Sequence, residues 1–231
     1  MTQSPFEPQE PAVNPMPPVV VALFLVLLGF EAMFALGQYG IIGGPNGIGW
    51  RNLMIEKFAF SDKVFDWMLT TGQFPAEHLI RFVTYPFVHA TLTHGIMAMV
   101  IMLALGKIVA EALGTFAFLT IWIVSSVAGA AAYGLLTDDP RLLFGAYPPA
   151  YGMIGGFTYL MWVRLGALGA PQVRAFSLIG FLLGIQLLFS LLFGGDNSWV
   201  AEIAGFVTGF IGAVILVPGG MAQLIQKLRR D

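Results

Sequence analysis

No cysteine occurs in the 231 residues. A disulfide framework, a thiol nucleophile and a thiolate metal site are therefore excluded, and cysteine usage says nothing about redox compartment. Charge is almost as scarce. Asp, Glu, Lys and Arg make up 10 % of the chain, where a soluble domain carries about a quarter, so a water-facing globule is excluded. Basic residues are not in excess. Eleven Lys and Arg stand against 13 Asp and Glu, a net charge of −2, which offers no surface for nucleic acid. What fills the chain is apolar: 57 % of residues are hydrophobic and the mean hydropathy is +0.80. Such a chain is a polytopic membrane protein, its length divided by the roughly 20 apolar residues that cross a bilayer.

Six apolar stretches predict an all-α membrane protein of six spans: about Pro18–Gly37, Phe82–Gly106, Ala112–Leu136, Gly145–Val163, Ala175–Gly195 and Asn197–Pro218. Helices satisfy their own backbone where water is absent. Residues 1–17, rich in proline and lacking Lys and Arg, read as a disordered tail. Their composition and the missing cleavage site argue against a secretory signal. The membrane domain runs from 18 to 220 and a basic tail from 221 to 231. Within the domain, residues 38–81 form a long connection in which aromatic and charged residues interleave (Trp50, Arg51, Phe58, Phe60, Asp62, Trp67), which suits a segment at the membrane interface. Lys107, Arg164, Arg174, Lys227, Arg229 and Arg230 fall on one side with both termini, and Arg51, Lys57, Lys63, Arg81 and Arg141 on the other. That bias places both termini in the cytoplasm. Gly129-Ala-Ala-Ala-Tyr-Gly134 and Gly205-x-x-x-Gly209 let helix backbones approach closely.

Ionisable groups inside spans are expensive and default to functional hypotheses. Four qualify: Glu31, His89, His94 and Glu202. On a continuous helix His89 and His94 would lie about 140° apart and not share a face.

The order of residues resembles the rhomboid family of intramembrane serine proteases. The resemblance rests on Arg81-Phe-Val-Thr-Tyr-Pro-Phe-Val-His89-Ala-Thr-Leu-Thr-His94 with Gly106 and Glu111 after it. It continues in Gly145-Ala-Tyr147-Pro148-Pro-Ala-Tyr151-Gly152 and in Ala201-Glu202-Ile-Ala-Gly205-Phe-Val-Thr-Gly209. It implies the family's six-helix bundle over about residues 15–220. It also implies where the chemistry would lie: a serine at the start of span four, activated by a histidine in span six. Those positions hold Tyr147 and Glu202. Of the family's oxyanion-binding pair the histidine is His94, but the asparagine is Ala98. The glycine after the nucleophile is Pro148, and Tyr151, whose counterpart packs on the catalytic histidine, is kept.

Acyl transfer needs a nucleophile beside a base that takes its proton. Losing one oxyanion donor alone costs on the order of 10²–10³ in rate. The resemblance therefore implies a pseudoprotease that binds transmembrane helices of other membrane proteins, within the lipid bilayer, without cleaving them. The alternative is an active protease with a non-standard site. Ser125, Ser126, Ser177 and Ser190 lack a histidine of their own, and His94 is the only obvious base. A metal site from His89, His94 and Glu202 is conceivable, but nothing at ligand spacing supports it; no metal or cofactor is expected. Glu202 is expected to pair with the Tyr147 hydroxyl or His94, because an unpaired buried carboxylate is costly. Glu31 reads as a satisfied interior carboxyl and His78 as a solvated or interfacial histidine. His89, His94, Tyr147, Tyr151 and Glu202 make up the expected pseudo-site. The cytoplasmic membrane of a bacterium is the expected location, no arginine- and serine-rich organelle signal being evident.

Overall fold

The computed structural model describes residues 15–217, apart from the side chains of 189, 190 and 193. Most of the expected N-terminal tail, the basic C-terminal tail and the Ser190 side chain lie outside the described residues. Six long helices dominate: α1 (Pro18–Gln38), α6 (Leu92–Leu113), α7 (Thr115–Leu136), α8 (Tyr147–Ala167), α9 (Ser177–Phe193) and α10 (Ser198–Leu216). Between α1 and α6 lie α2 (Trp50–Phe58), α3 (Asp62–Thr71) and the single turns α4 (Ala76–Leu79) and α5 (Arg81–Thr84). Among the described residues β pairing is limited to one antiparallel bridge, Phe60 with Leu143.

Helices α1, α6, α7 and α10 are each long and apolar enough to cross a membrane. Helix α8 has 21 residues but dilutes its apolarity with Pro148, Pro149, several glycines and Arg164. Helix α9 has 17, the short end of the roughly 17–25 that span.

Small residues set the tightest packing. A Cβ on Gly205 would collide with the Pro148 backbone, and one on Gly209 with the Gly152 backbone. These contacts advance four residues on both helices together, so α8 and α10 run parallel and nearly backbone to backbone. Helix α7 packs against both, with Ser125 meeting Gly152 and Gly129 meeting Pro148.

The long connection is more than an interfacial loop. Phe60, Phe65 and Phe82 pack with ring centroids 4.8–5.8 Å apart, and Phe60 and Phe65 seat on Gly134 of α7. Phe60 exchanges backbone hydrogen bonds with Leu143 at 2.8 and 2.9 Å, Arg81 donates to the Ala59 carbonyl, and the buried Tyr85 hydroxyl donates to the Ser126 carbonyl at 3.0 Å. Trp67 and Phe74 remain exposed.

One expected boundary moves. The second long helix starts at Leu92, not near Phe82. Pro86 sits in a short 3₁₀ turn, Val88 is extended, and Thr91 caps α6 by accepting the His94 amide at 3.1 Å, which satisfies one of the helix's orphan donors.

Candidate functional site

The start of α8 is fixed from three sides. Gly145 has φ +97°, and a Cβ there would stand 2.8 Å from the His94 ring, so both backbone and space require glycine. Its amide donates to the Tyr85 carbonyl at 3.0 Å. The next amide, Ala146, donates to His89 Nε2 at 3.2 Å. Tyr147 opens the helix, and Pro148 and Pro149 occupy its first turn, where the missing N–H groups are not needed.

The ring of Tyr147 stacks on His94 with centroids 4.9 Å apart and planes 17° from parallel. His89 meets the same imidazole edge-on at 5.6 Å. The two histidines come together because His89 precedes α6 rather than riding on it. This corrects the expectation drawn from a continuous helix.

Glu202, 6 % exposed, accepts a hydrogen bond from Gln186 Nε2 of α9 at 2.7 Å. The expected pairing with Tyr147 or His94 is thus replaced by one with Gln186. The signal for Gln186 was present in the sequence: it is the notable polar side chain in the apolar run of α9, and such groups in lipid seek partners on neighbouring helices. Ala98 is fully buried one turn after His94, so that position brings no donor to the site.

Two cavities share this wall. The larger, about 710 Å³, lies between α9 and α10 and is lined by His94, Tyr147, Gln186, Asp196, Trp199 and Glu202 among others. The smaller, about 330 Å³, extends on the side of Tyr133, Arg141 and Phe144. Between the loops at their edge, Asp139 accepts from the Arg141 amide and Nε at 3.0 and 3.2 Å and from the Asn197 amide at 3.4 Å.

Glu31, fully buried, stands behind the site. Arg51 of α2 places Nη1 2.9 Å from its Oε2 and donates to Oε1 at 3.2 Å. The same guanidinium donates to the His89 carbonyl at 2.8 Å. His89 Nδ1 lies 3.2 Å from Glu31 Oε1; since Nε2 accepts from Ala146, the ring carries its proton on Nδ1 and donates it to the carboxylate. A chain of contacts therefore runs from Glu31 through His89 to the start of α8. Arg51 reads from sequence only as a loop charge, because its partner is 20 residues away on another helix.

Both His89 nitrogens are engaged and Glu202 is bound to Gln186, so two donors of the conceivable metal site are already used. Among the described residues no group of three or more His, Cys, Asp or Glu is gathered as a metal would require. Ser125 donates to the Gly205 carbonyl at 3.2 Å and Ser126 to the Trp122 carbonyl at 2.8 Å, both buried. Neither hydroxyl faces a histidine. His78 packs edge-on to Trp67 at 6.0 Å.

The Rhomboid domain model matches residues 76–219, well over half of the chain. The chain belongs to the rhomboid family. Rhomboid-like protease 3 of Toxoplasma gondii is 29 % identical over 131 residues, which cover 57 % of this chain and 49 % of that protein. The chain thus spans about half the length of the relative it matches. Family membership and the apolar helices make this a multi-pass membrane protein with an intramembrane-protease-like fold. His89, His94, Tyr147, Tyr151 and Glu202 lie around the start of α8, where Tyr147 stacks on His94 and Glu202 binds Gln186.

Proposed function

We propose that this rhomboid-family protein holds transmembrane helices of other membrane proteins without cleaving them. One observation carries the reading: Glu202 is bound to Gln186, while Tyr147 lies against His94. A nucleophile needs its base within hydrogen-bonding reach; here the phenol has no such partner at the base position. Glycine-tight packing of α7, α8 and α10 gives a rigid wall, and the cavity beside α9 gives a client helix somewhere to lie. All six long helices cross the bilayer in this reading, and the parallel run of α8 and α10, with α9 between them in sequence, supports it. The location is the cytoplasmic membrane of a bacterium with both termini inside, as the basic residues suggest.

The test is cleavage of a panel of single-span substrates by the purified, reconstituted chain. It runs beside the variant carrying Tyr147→Ser, Pro148→Gly, Glu202→His and Ala98→Asn. No product from the natural chain and product from the variant supports a scaffold emptied of chemistry. Product from the natural chain that disappears with replacement of Ser125, Ser126 or His94 overturns the reading in favour of an active protease.

A further inference from the structure

Building on the client-holding reading, we propose that the cavity between α9 and α10 receives a neutral carboxamide, so that preferred clients are transmembrane helices carrying an asparagine or glutamine near one end of their apolar run. The wall brings polar groups of three helices together: His94 of α6, Tyr147 of α8 and Glu202 of α10 all line it. Two of them are donors with nothing to donate to. The Ala90 amide donates to His94 Nδ1 at 3.4 Å, so the neutral ring carries its proton on Nε2, and that N–H has no partner among the described residues. The Tyr147 phenol meets His94 through its ring, and its hydroxyl likewise finds no partner among the described residues. Neither atom is sealed beneath other side chains, so both can be reached from the cavity. Glu202 is the acceptor of the set. Gln186 occupies its Oε2, and a carboxylate has about four lone-pair sites, so it can accept again.

Donors on one side and an acceptor on the other select the chemistry of the occupant. A carboxamide carries an acceptor oxygen and two N–H donors. Its oxygen takes the His94 and Tyr147 donors while its nitrogen gives to Glu202. The last contact has a precedent inside the protein, because Glu202 already holds the carboxamide of Gln186 at 2.7 Å. An apolar side chain covers all three groups and matches none, which costs their desolvation. An anion meets the like charge of Glu202 and Asp196. A lysine serves the carboxylate but has no acceptor for the His94 N–H. The bilayer favours the same choice, since an asparagine in lipid gains from a partner on a neighbouring helix. Depth follows from the helix register. His94 is the third residue of α6, Tyr147 the first of α8 and Glu202 the fifth of α10, so at 1.5 Å per residue all three lie within about 6 Å of the helix starts. The client's amide therefore lies within about two turns of the end that shares this membrane face.

The experiment uses the full chain in phosphatidylcholine vesicles with dansylated single-span polyleucine peptides, diluted until the peptides show no association of their own. Energy transfer from the chain's tryptophans, of which Trp199 lines the cavity, reads binding. One peptide carries asparagine in its first two turns; others carry leucine or lysine there, or asparagine at mid-run. The end-asparagine peptide is expected to bind at least fivefold more tightly than each of the others. Its advantage over leucine should fall below twofold when His94→Phe and Tyr147→Phe are combined, which keeps both rings and removes the donors. It should persist in Tyr159→Phe, which removes a hydroxyl outside the cavity. Unchanged leucine-peptide binding shows that each variant is folded. Equal binding of end-asparagine and leucine peptides to the natural chain overturns the amide preference and leaves client holding intact; binding of no peptide overturns both. Lysine binding as tight as asparagine overturns the proposal in favour of charge. Equal binding of the mid-run asparagine, or an advantage that survives the loss of both donors, overturns it as well.

Discussion

The phenol of Tyr147 lies face to face with the imidazole of His94, ring centroids 4.9 Å apart. The contact joins the first residue of α8 to the first turn of α6, and it sits on the wall shared by both cavities. Aromatic pairs contribute about 0.5–1.5 kcal/mol beyond the area they bury. Tyr147→Leu and His94→Leu should each lower stability, and the double variant should fall short of the summed losses by about that amount. Reversible unfolding in detergent measures all three. Strictly additive losses would mean that the rings are neighbours without an energetic link.

The helices of this fold were legible because each apolar run is long and nearly free of charge. Their contacts were less so. Apolarity alone ran the second span back to Phe82, whereas Pro86 and the Thr91 cap begin the helix at Leu92. Those local signals outweigh hydropathy, and they are what free His89 to reach Glu31. The partner of Glu202 was not legible from spacing, since it depends on which faces α8 and α10 turn to each other. That rotation is set by Gly205 against Pro148 and Gly209 against Gly152, and it leaves the carboxylate to Gln186 of a third helix.

Arg51 and Glu31 form a pair 15 % and 0 % exposed, and removing one member should do more harm than removing both. A buried carboxylate stripped of its cation costs about 3–5 kcal/mol, while replacing the whole pair with apolar residues is often close to neutral. Arg51→Met should therefore be severely destabilised, and Glu31→Leu with Arg51→Met should recover most of the loss. His89 also donates to Glu31, so Glu31→Leu by itself leaves both donors unmatched. Thermal melts of the three variants in one detergent decide it. A double variant as unstable as Arg51→Met would count against a net penalty for the orphaned carboxylate.

Glycines of α10 and α9 should behave oppositely. At Gly209 a methyl would overlap the Gly152 backbone, while nothing lies within 4 Å of a Cβ on Gly180 or Gly184. Overpacking costs about 1–3 kcal/mol, and more where backbone must move. Gly209→Ala should thus lower the melting temperature and the yield of folded protein. Gly180→Ala and Gly184→Ala should be neutral or stabilising by up to about 1 kcal/mol, because alanine loses less backbone freedom in a helix. Equal effects at the two sites would contradict backbone contact between α8 and α10.

Asp139 should make stability fall in acid. It joins the α7–α8 connection to the start of α10 through the Arg141 and Asn197 amides. Burial by itself would push its carboxyl up, but those two amides and the Arg141 guanidinium outweigh it, and the pKa lies below the ordinary carboxylate value. A group whose pKa is depressed by folding contributes stability that is fully present above its unfolded pKa, about 3.9 for Asp. That contribution is lost as pH falls through the lower folded value. Asp139→Asn should hence melt below the natural chain by a constant gap from about pH 7 to pH 5, and the gap should close at more acid pH. Melting curves across that range test it. A gap that stays constant at the acid end, or widens there, would show that the carboxylate is not what ties the two connections together.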